Sequence, residues 1–130
     1  MRILIVEDDF GSRRLMQKMM AQYGKVDVVV DGDEAIEAFR LSWEDNEPYD
    51  CICLDIMMPK VDGQEALREI REIEKGYGVK PFNAVKVLMV TALEDPKNVI
   101  EAFLEGGADG YMVKPITAKK IEEELKKMNL

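Results

Sequence analysis

Short, largely apolar runs alternate along this chain with longer stretches in which apolar residues return every three or four positions. The runs are Ile3-Leu4-Ile5-Val6, Val26-Asp27-Val28-Val29-Val30, Cys51-Ile52-Cys53-Leu54, the segment from Val85 to Val90, and Tyr111-Met112-Val113. Runs this short that do not alternate predict strands covered on both faces, as in a parallel sheet. The periodic stretches predict helices. Leu15, Met16, Met19, Met20 and Tyr23 form the first apolar stripe, stopped by Gly24. Asp31-Gly32-Asp33 opens the second helix, with Ala35, Ile36, Phe39 and Trp43 facing in. Ala66, Leu67, Ile70 and Ile73 mark the third, which ends near Gly76 before a loop from Tyr77 to Asn83. Asp95-Pro96 opens the fourth, with Val99, Ile100, Phe103 and Leu104 facing in and Gly106-Gly107 ending it. Thr117 caps the last, whose inner residues are Ile121, Leu125 and Met128. Strands and helices in strict alternation, without hairpin signals, predict an α/β fold with a parallel sheet and helices on both faces.

The polar residues that end these strands change the picture from fold to site. The first strand runs into Glu7-Asp8-Asp9, the third into Asp55, the fourth into Thr91 and the fifth into Lys114-Pro115. Ligands of open α/β sheets bind beyond the carboxyl ends of the strands, so acids, a hydroxyl and an ammonium are expected in one crevice. Taken singly, each has an ordinary explanation: an acid at a loop start is commonly a helix cap, and Asp9 is expected to be one. Taken together at matching strand ends, they point to chemistry.

Closely packed carboxylates repel unless a cation sits among them, and hard oxygen ligands suit Mg²⁺, with Mn²⁺ as the alternative. A lysine and a threonine aimed at the same point imply an anion as well. A strand-end aspartate can attack a phosphoryl group to give an acyl phosphate, whose formation needs cations around the transferring oxygens.

Composition narrows the classes. The 130 residues, 47% hydrophobic, fit one domain covering residues 1–130. A net charge of −8 argues against nucleic acid as a partner, and no apolar run is long enough to span a membrane. The first strand begins almost at once, leaving no room for a signal peptide, so a cytoplasmic location is expected. Cys51 and Cys53 are expected to be buried thiols. The chain has no histidine, so it cannot itself supply a phosphohistidine, an imidazole base or a histidine metal ligand.

The ordered set formed by the acidic run, Leu54-Asp55-Ile56-Met57-Met58-Pro59, Gly63, Thr91-Ala92, Tyr111 and Lys114-Pro115 resembles the receiver domain of two-component response regulators. That resemblance covers essentially the whole chain. It implies a flavodoxin-like, doubly wound five-stranded sheet of order 2-1-3-4-5. It also implies that Asp55 is the phosphoacceptor, that Lys114 and Thr91 assist, and that Thr91 and Tyr111 form a coupled switch. Asp8 and Asp55 would bind the metal directly, with Met57 offering its backbone carbonyl and Glu7 acting through a water. Asp8/Asp9 is the alternative acidic pair. Lys114-Pro115 would be a cis peptide.

The implied partners are a sensor histidine kinase or histidine phosphotransfer protein and a downstream protein target, with homodimerisation on phosphorylation as a further route. The implied activity is that of a switch rather than an enzyme turning over a separate substrate. Output would pass through the fourth helix, fifth strand and fifth helix. Nothing follows Leu130, so a stand-alone regulator is expected. Met57 and Leu93, both apolar beside the acceptor, predict slow self-dephosphorylation. The alternative is a pseudo-receiver, a binding module that never takes phosphate.

Overall fold

Apolar runs without alternation need cover on both faces; the central strands obtain it in full and the edge strand Lys25–Val29 in part. The computed structural model describes residues 1–58, 60–92, 96–105 and 107–130. The strands are β1 (Arg2–Val6), β2 (Lys25–Val29), β3 (Cys51–Leu54), β4 (Lys86–Thr91) and β5 (Gly110–Val113). They form one parallel sheet in the order β2-β1-β3-β4-β5. The helices are α1 (Phe10–Met20), α2 (Gly32–Glu44), α3 (Gly63–Gly76), α4 (Pro96–Ile100) and α5 (Ala118–Lys127).

The period-two geometry of the strands divides the core into two. Leu4, Val6, Ile52, Leu54, Val87 and Met89 face Phe39 of α2 and Leu67 and Ile70 of α3. Ile3, Ile5, Cys51, Cys53, Leu88 and Val90 face Met16 and Met20 of α1 and Ile121 and Leu125 of α5. The two cysteines are free, buried thiols. Side-chain caps start four helices: Asp9, Asp31 and Thr117, as expected, and Asp62 each accept a backbone N–H three residues on.

The structure differs from the pattern in several places, among them Val30, which lies beyond β2 and is exposed. Leu15 is exposed, at the margin of the α1 stripe rather than in it. The loop after α3 contains a 3₁₀ turn, Pro81–Asn83. Thr91 is the last residue of β4 rather than the first beyond it. The largest difference comes after α4, where Glu101–Glu105 continue as a π-helical turn. Ala102 is buried there, while Ile100, Phe103 and Leu104 are exposed. The expected stripe assumed an α period. One extra residue per turn rotates the later side chains by about 100°. The expectations placed on Pro59, Leu93, Asp95 and Gly106 lie outside the described residues.

Candidate functional site at the carboxyl edge of the sheet

Strand register brings the polar strand ends together. Val6 of β1 pairs with Leu54 of β3, so Glu7 and Asp55 leave neighbouring strands at the same level. The Asp55 N–H donates to the Val6 carbonyl at 3.2 Å, and the Glu7 N–H donates to the Val29 carbonyl at 3.2 Å. On the other side Thr91 pairs with Val113, and the Lys114 N–H donates to the Thr91 carbonyl at 2.8 Å. The acids thus emerge from the sheet's centre and the lysine reaches in from β5. The Lys114-Pro115 peptide is cis.

Lys114 ties the two halves. Its ammonium pairs with Glu7 Oε1 and, at 3.2 Å, with Asp55 Oδ2. The Met57 N–H donates to Asp55 Oδ1 at 3.1 Å, so both Asp55 oxygens are held in a fixed orientation. Glu7 and Asp55 are buried, whereas Asp8 is exposed. One carboxylate oxygen from each of Glu7, Asp8 and Asp55 lies within 4.8 Å of the others. Asp9 stands apart from this group. It accepts the Ser12 N–H at 2.8 Å as the cap of α1, and that backbone hydrogen bond holds its pKa below the usual range.

The cluster carries an electrostatic debt that a cation would relieve. Burial, together with the hydrogen bond and charge of Asp55, pushes the Glu7 carboxyl up to about 7, although Lys114 works in the other direction. Burial works to lower the Lys114 pKa, but its contacts with Glu7 and Asp55 outweigh that and raise it. Glu7 Oε2 is buried and has no hydrogen-bond partner. An orphaned carboxylate oxygen beside two further carboxylates fits a hard divalent cation.

Thr91 is fully buried at its strand end. Met89 pairs with Tyr111 and Thr91 with Val113, so Tyr111 and Thr91 side chains share one face of the sheet, toward α3. The Tyr111 ring is partly buried and lies 6.4 Å from that of Phe103. Met57 is exposed.

One contributor was not singled out for a role from sequence. Arg13 donates to the carbonyl oxygens of Glu7 and Asp8 at 3.1 and 3.2 Å, fixing the backbone of the acidic turn. Its signal was present, an arginine on the first turn of α1 directly after an acidic run, but that spacing also describes an ordinary helix-surface cation.

Residues 3–126 match the family model of the response regulator receiver domain. The chain belongs to this family. Two curated proteins illustrate the range of receiver domains it resembles. It is 33% identical to a probable transcriptional regulator, ycf27, of Cyanophora paradoxa, over 98% of this chain and 47% of that protein. It is 34% identical to hybrid signal transduction histidine kinase I of Dictyostelium discoideum, over 94% of this chain and 7% of that protein. The chain therefore spans about half or less of these relatives.

Solved receiver domains have the same fold. The receiver domain of the histidine kinase CKI1 from Arabidopsis thaliana, complexed with Mg²⁺ and BeF₃⁻, superposes with a TM-score of 0.78 at 28% identity. That match covers 96% of this chain and 89% of the other. A CheX–CheY–BeF₃–Mg²⁺ complex from Borrelia burgdorferi gives 0.83 at 27% identity, covering 99% and 89%. As a receiver domain, the chain belongs to two-component, phosphorylation-based signalling. Among the described residues, no helix is long and apolar enough to cross a membrane.

Proposed function

We propose that this chain is a single-domain phosphoacceptor switch over residues 1–130, with Asp55 as the residue that takes the phosphoryl group. The observation that carries this reading is the setting of Asp55. Its two oxygens are oriented by Lys114 and the Met57 N–H, at the edge of a carboxylate cluster with an unsatisfied oxygen. Family members solved with Mg²⁺ and BeF₃⁻ show that this fold accommodates a divalent cation and a small anion together.

Asp8 and Asp55 would hold Mg²⁺ directly, with the Met57 carbonyl as a further ligand and Glu7 acting through water. The cation supplies charge neutralisation for the phosphoryl oxygens. An oxygen of Asp55 attacks the phosphorus of a phosphohistidine on a partner kinase or phosphotransfer protein. The P–N bond breaks, the imidazole leaves, and an acyl phosphate forms on Asp55. The Lys114 ammonium offsets the charge on the transferred group, and the Thr91 hydroxyl donates to one of its oxygens. Turning Thr91 toward the phosphoryl group opens space for Tyr111, biasing a population shift at α4, β5 and α5. Ile100 of α4 and Phe103, whose ring neighbours that of Tyr111 in β5, are exposed there, where a target protein or a second copy would read the state. The chain thereby acts as a cytoplasmic signalling switch rather than as an enzyme with a separate substrate.

Incubation with acetyl phosphate and Mg²⁺ tests the reading. Intact mass rises by about 80 Da, the weight of one phosphoryl group, and a chelator abolishes the gain. No gain in protein that is folded and exposed to Mg²⁺ would sink it.

Glu7 gives the site a pH dependence with a defined sign. Its folded pKa of about 7 lies above its ordinary 4.5. Without added cation, Glu7 therefore contributes stability that is complete below about 4.5 and lost as pH rises through about 7. Cation binding requires the carboxylate, so Mg²⁺ affinity rises across the same interval. Titration calorimetry at a series of pH values reads this directly. Glu7→Gln flattens the dependence, and a wild-type affinity independent of pH between 5.5 and 7.5 (roughly the window of an acid poised near neutrality) would contradict it.

A further inference from the structure

Methionine supplies nine of this chain's residues, and the fold hides most of them. Met16, Met20, Met58, Met89, Met112 and Met128 are all at most 8% exposed, and Met19 is partly buried against the core. Met57 is 59% exposed, and Met1 is the other exposed one at 40%. An oxidant arriving from solvent therefore reaches one internal thioether ahead of the others. That thioether belongs to the residue whose N–H donates to Asp55 Oδ1 at 3.1 Å.

We infer that Met57 is an oxidation site whose sulfoxide shortens the lifetime of the phosphoryl group on Asp55. The inference rests on the acceptor role proposed above. A peroxide supplies the oxygen: the thioether sulfur attacks it, the O–O bond breaks, an S–O bond forms, and water leaves. An apolar side chain two residues after the acceptor, on the residue whose N–H contacts it, thereby gains a strong hydrogen-bond acceptor on a chain with three rotatable bonds. The sulfoxide oxygen can hold a water against the phosphorus, which the thioether does poorly. That water attacks, the bond between phosphorus and the Asp55 oxygen breaks, and inorganic phosphate leaves with the proton passing to solvent. The effect is about three- to tenfold, well below the hundredfold or more of a fixed general base, because the side chain is mobile at an exposed position.

The test uses the whole chain and hydrogen peroxide. Peptide mapping after brief treatment shows the first internal oxygen at Met57, ahead of every other methionine between Met16 and Met128. The phosphoryl lifetime, followed by intact mass after removal of acetyl phosphate, shortens in the oxidised protein. Methionine sulfoxide reductase then restores it. In Met57→Leu the ratio of lifetimes before and after peroxide stays near one, whatever the starting value. First oxidation at a buried methionine overturns the inference, as does an unchanged lifetime with Met57 fully oxidised. Failure of the untreated protein to gain a phosphoryl group would instead show that the acceptor reading itself is wrong.

Discussion

Asp55→Ala gains no phosphoryl group under conditions in which wild type gains one, and it remains folded. The other carboxylates do not substitute for it. Glu7 is buried, raised in pKa and engaged by Lys114, so its carboxylate is a poor nucleophile near neutral pH. Asp8 is exposed, and no lysine contact to it accompanies those that Lys114 makes to Glu7 and Asp55 among the described residues. Stability should not suffer, because the substitution removes an acid that raises the Glu7 pKa and leaves Lys114 its pairing with Glu7. A melting temperature at or above that of wild type, with phosphoryl uptake below detection, is the expected pair of results. Uptake by Asp55→Ala at the wild-type rate would remove Asp55 from the account.

Gly63→Ala is expected to unsettle the acceptor loop by geometry alone. A Cβ at residue 63 would stand 2.1 Å from the Asp55 carbonyl oxygen and 2.7 Å from the Ile56 Cα. Both are backbone atoms and cannot rotate away. The Gly63 N–H also donates to the Ile56 carbonyl at 2.9 Å, so the start of α3 lies directly on the backbone just after the acceptor. Relief requires α3 to withdraw, which would pull Ala66 and Leu67 from the core they share with Leu54. A loss of about 3 kcal/mol or more is expected, at the upper end of what overpacking costs, together with slower phosphoryl uptake. Denaturant unfolding measures the first and intact mass the second. Wild-type stability in Gly63→Ala would mean that the close approach is relieved cheaply.

The central strands β1, β3 and β4 were legible in the sequence because both of their faces are buried, so apolar content alone marks them. The site was legible for a related reason. Asp55 and Lys114 are polar residues placed directly after apolar strands, where burial makes them costly unless they have partners. Leu15 and the apolar residues from Ile100 to Leu104 were misread because periodicity counts a residue at the margin of a stripe like one at its centre. It also assumes an α period, which the π turn at Glu101–Glu105 breaks. The role of Arg13 was not legible, because its partners are backbone carbonyls and leave no side-chain pattern. The distribution of Glu7 between Lys114 and its own orphaned oxygen depends on packing in three dimensions.

The measurement closest to the central claim is to trap the acyl phosphate on its residue. Protein incubated with Mg²⁺ and acetyl phosphate is reduced with borohydride, which converts a phosphorylated aspartate to homoserine, then digested and sequenced by mass spectrometry. The account predicts homoserine at position 55, only after incubation with the phosphodonor. Homoserine at position 8 or 9, or none at all in protein that has gained a phosphoryl group, would contradict it.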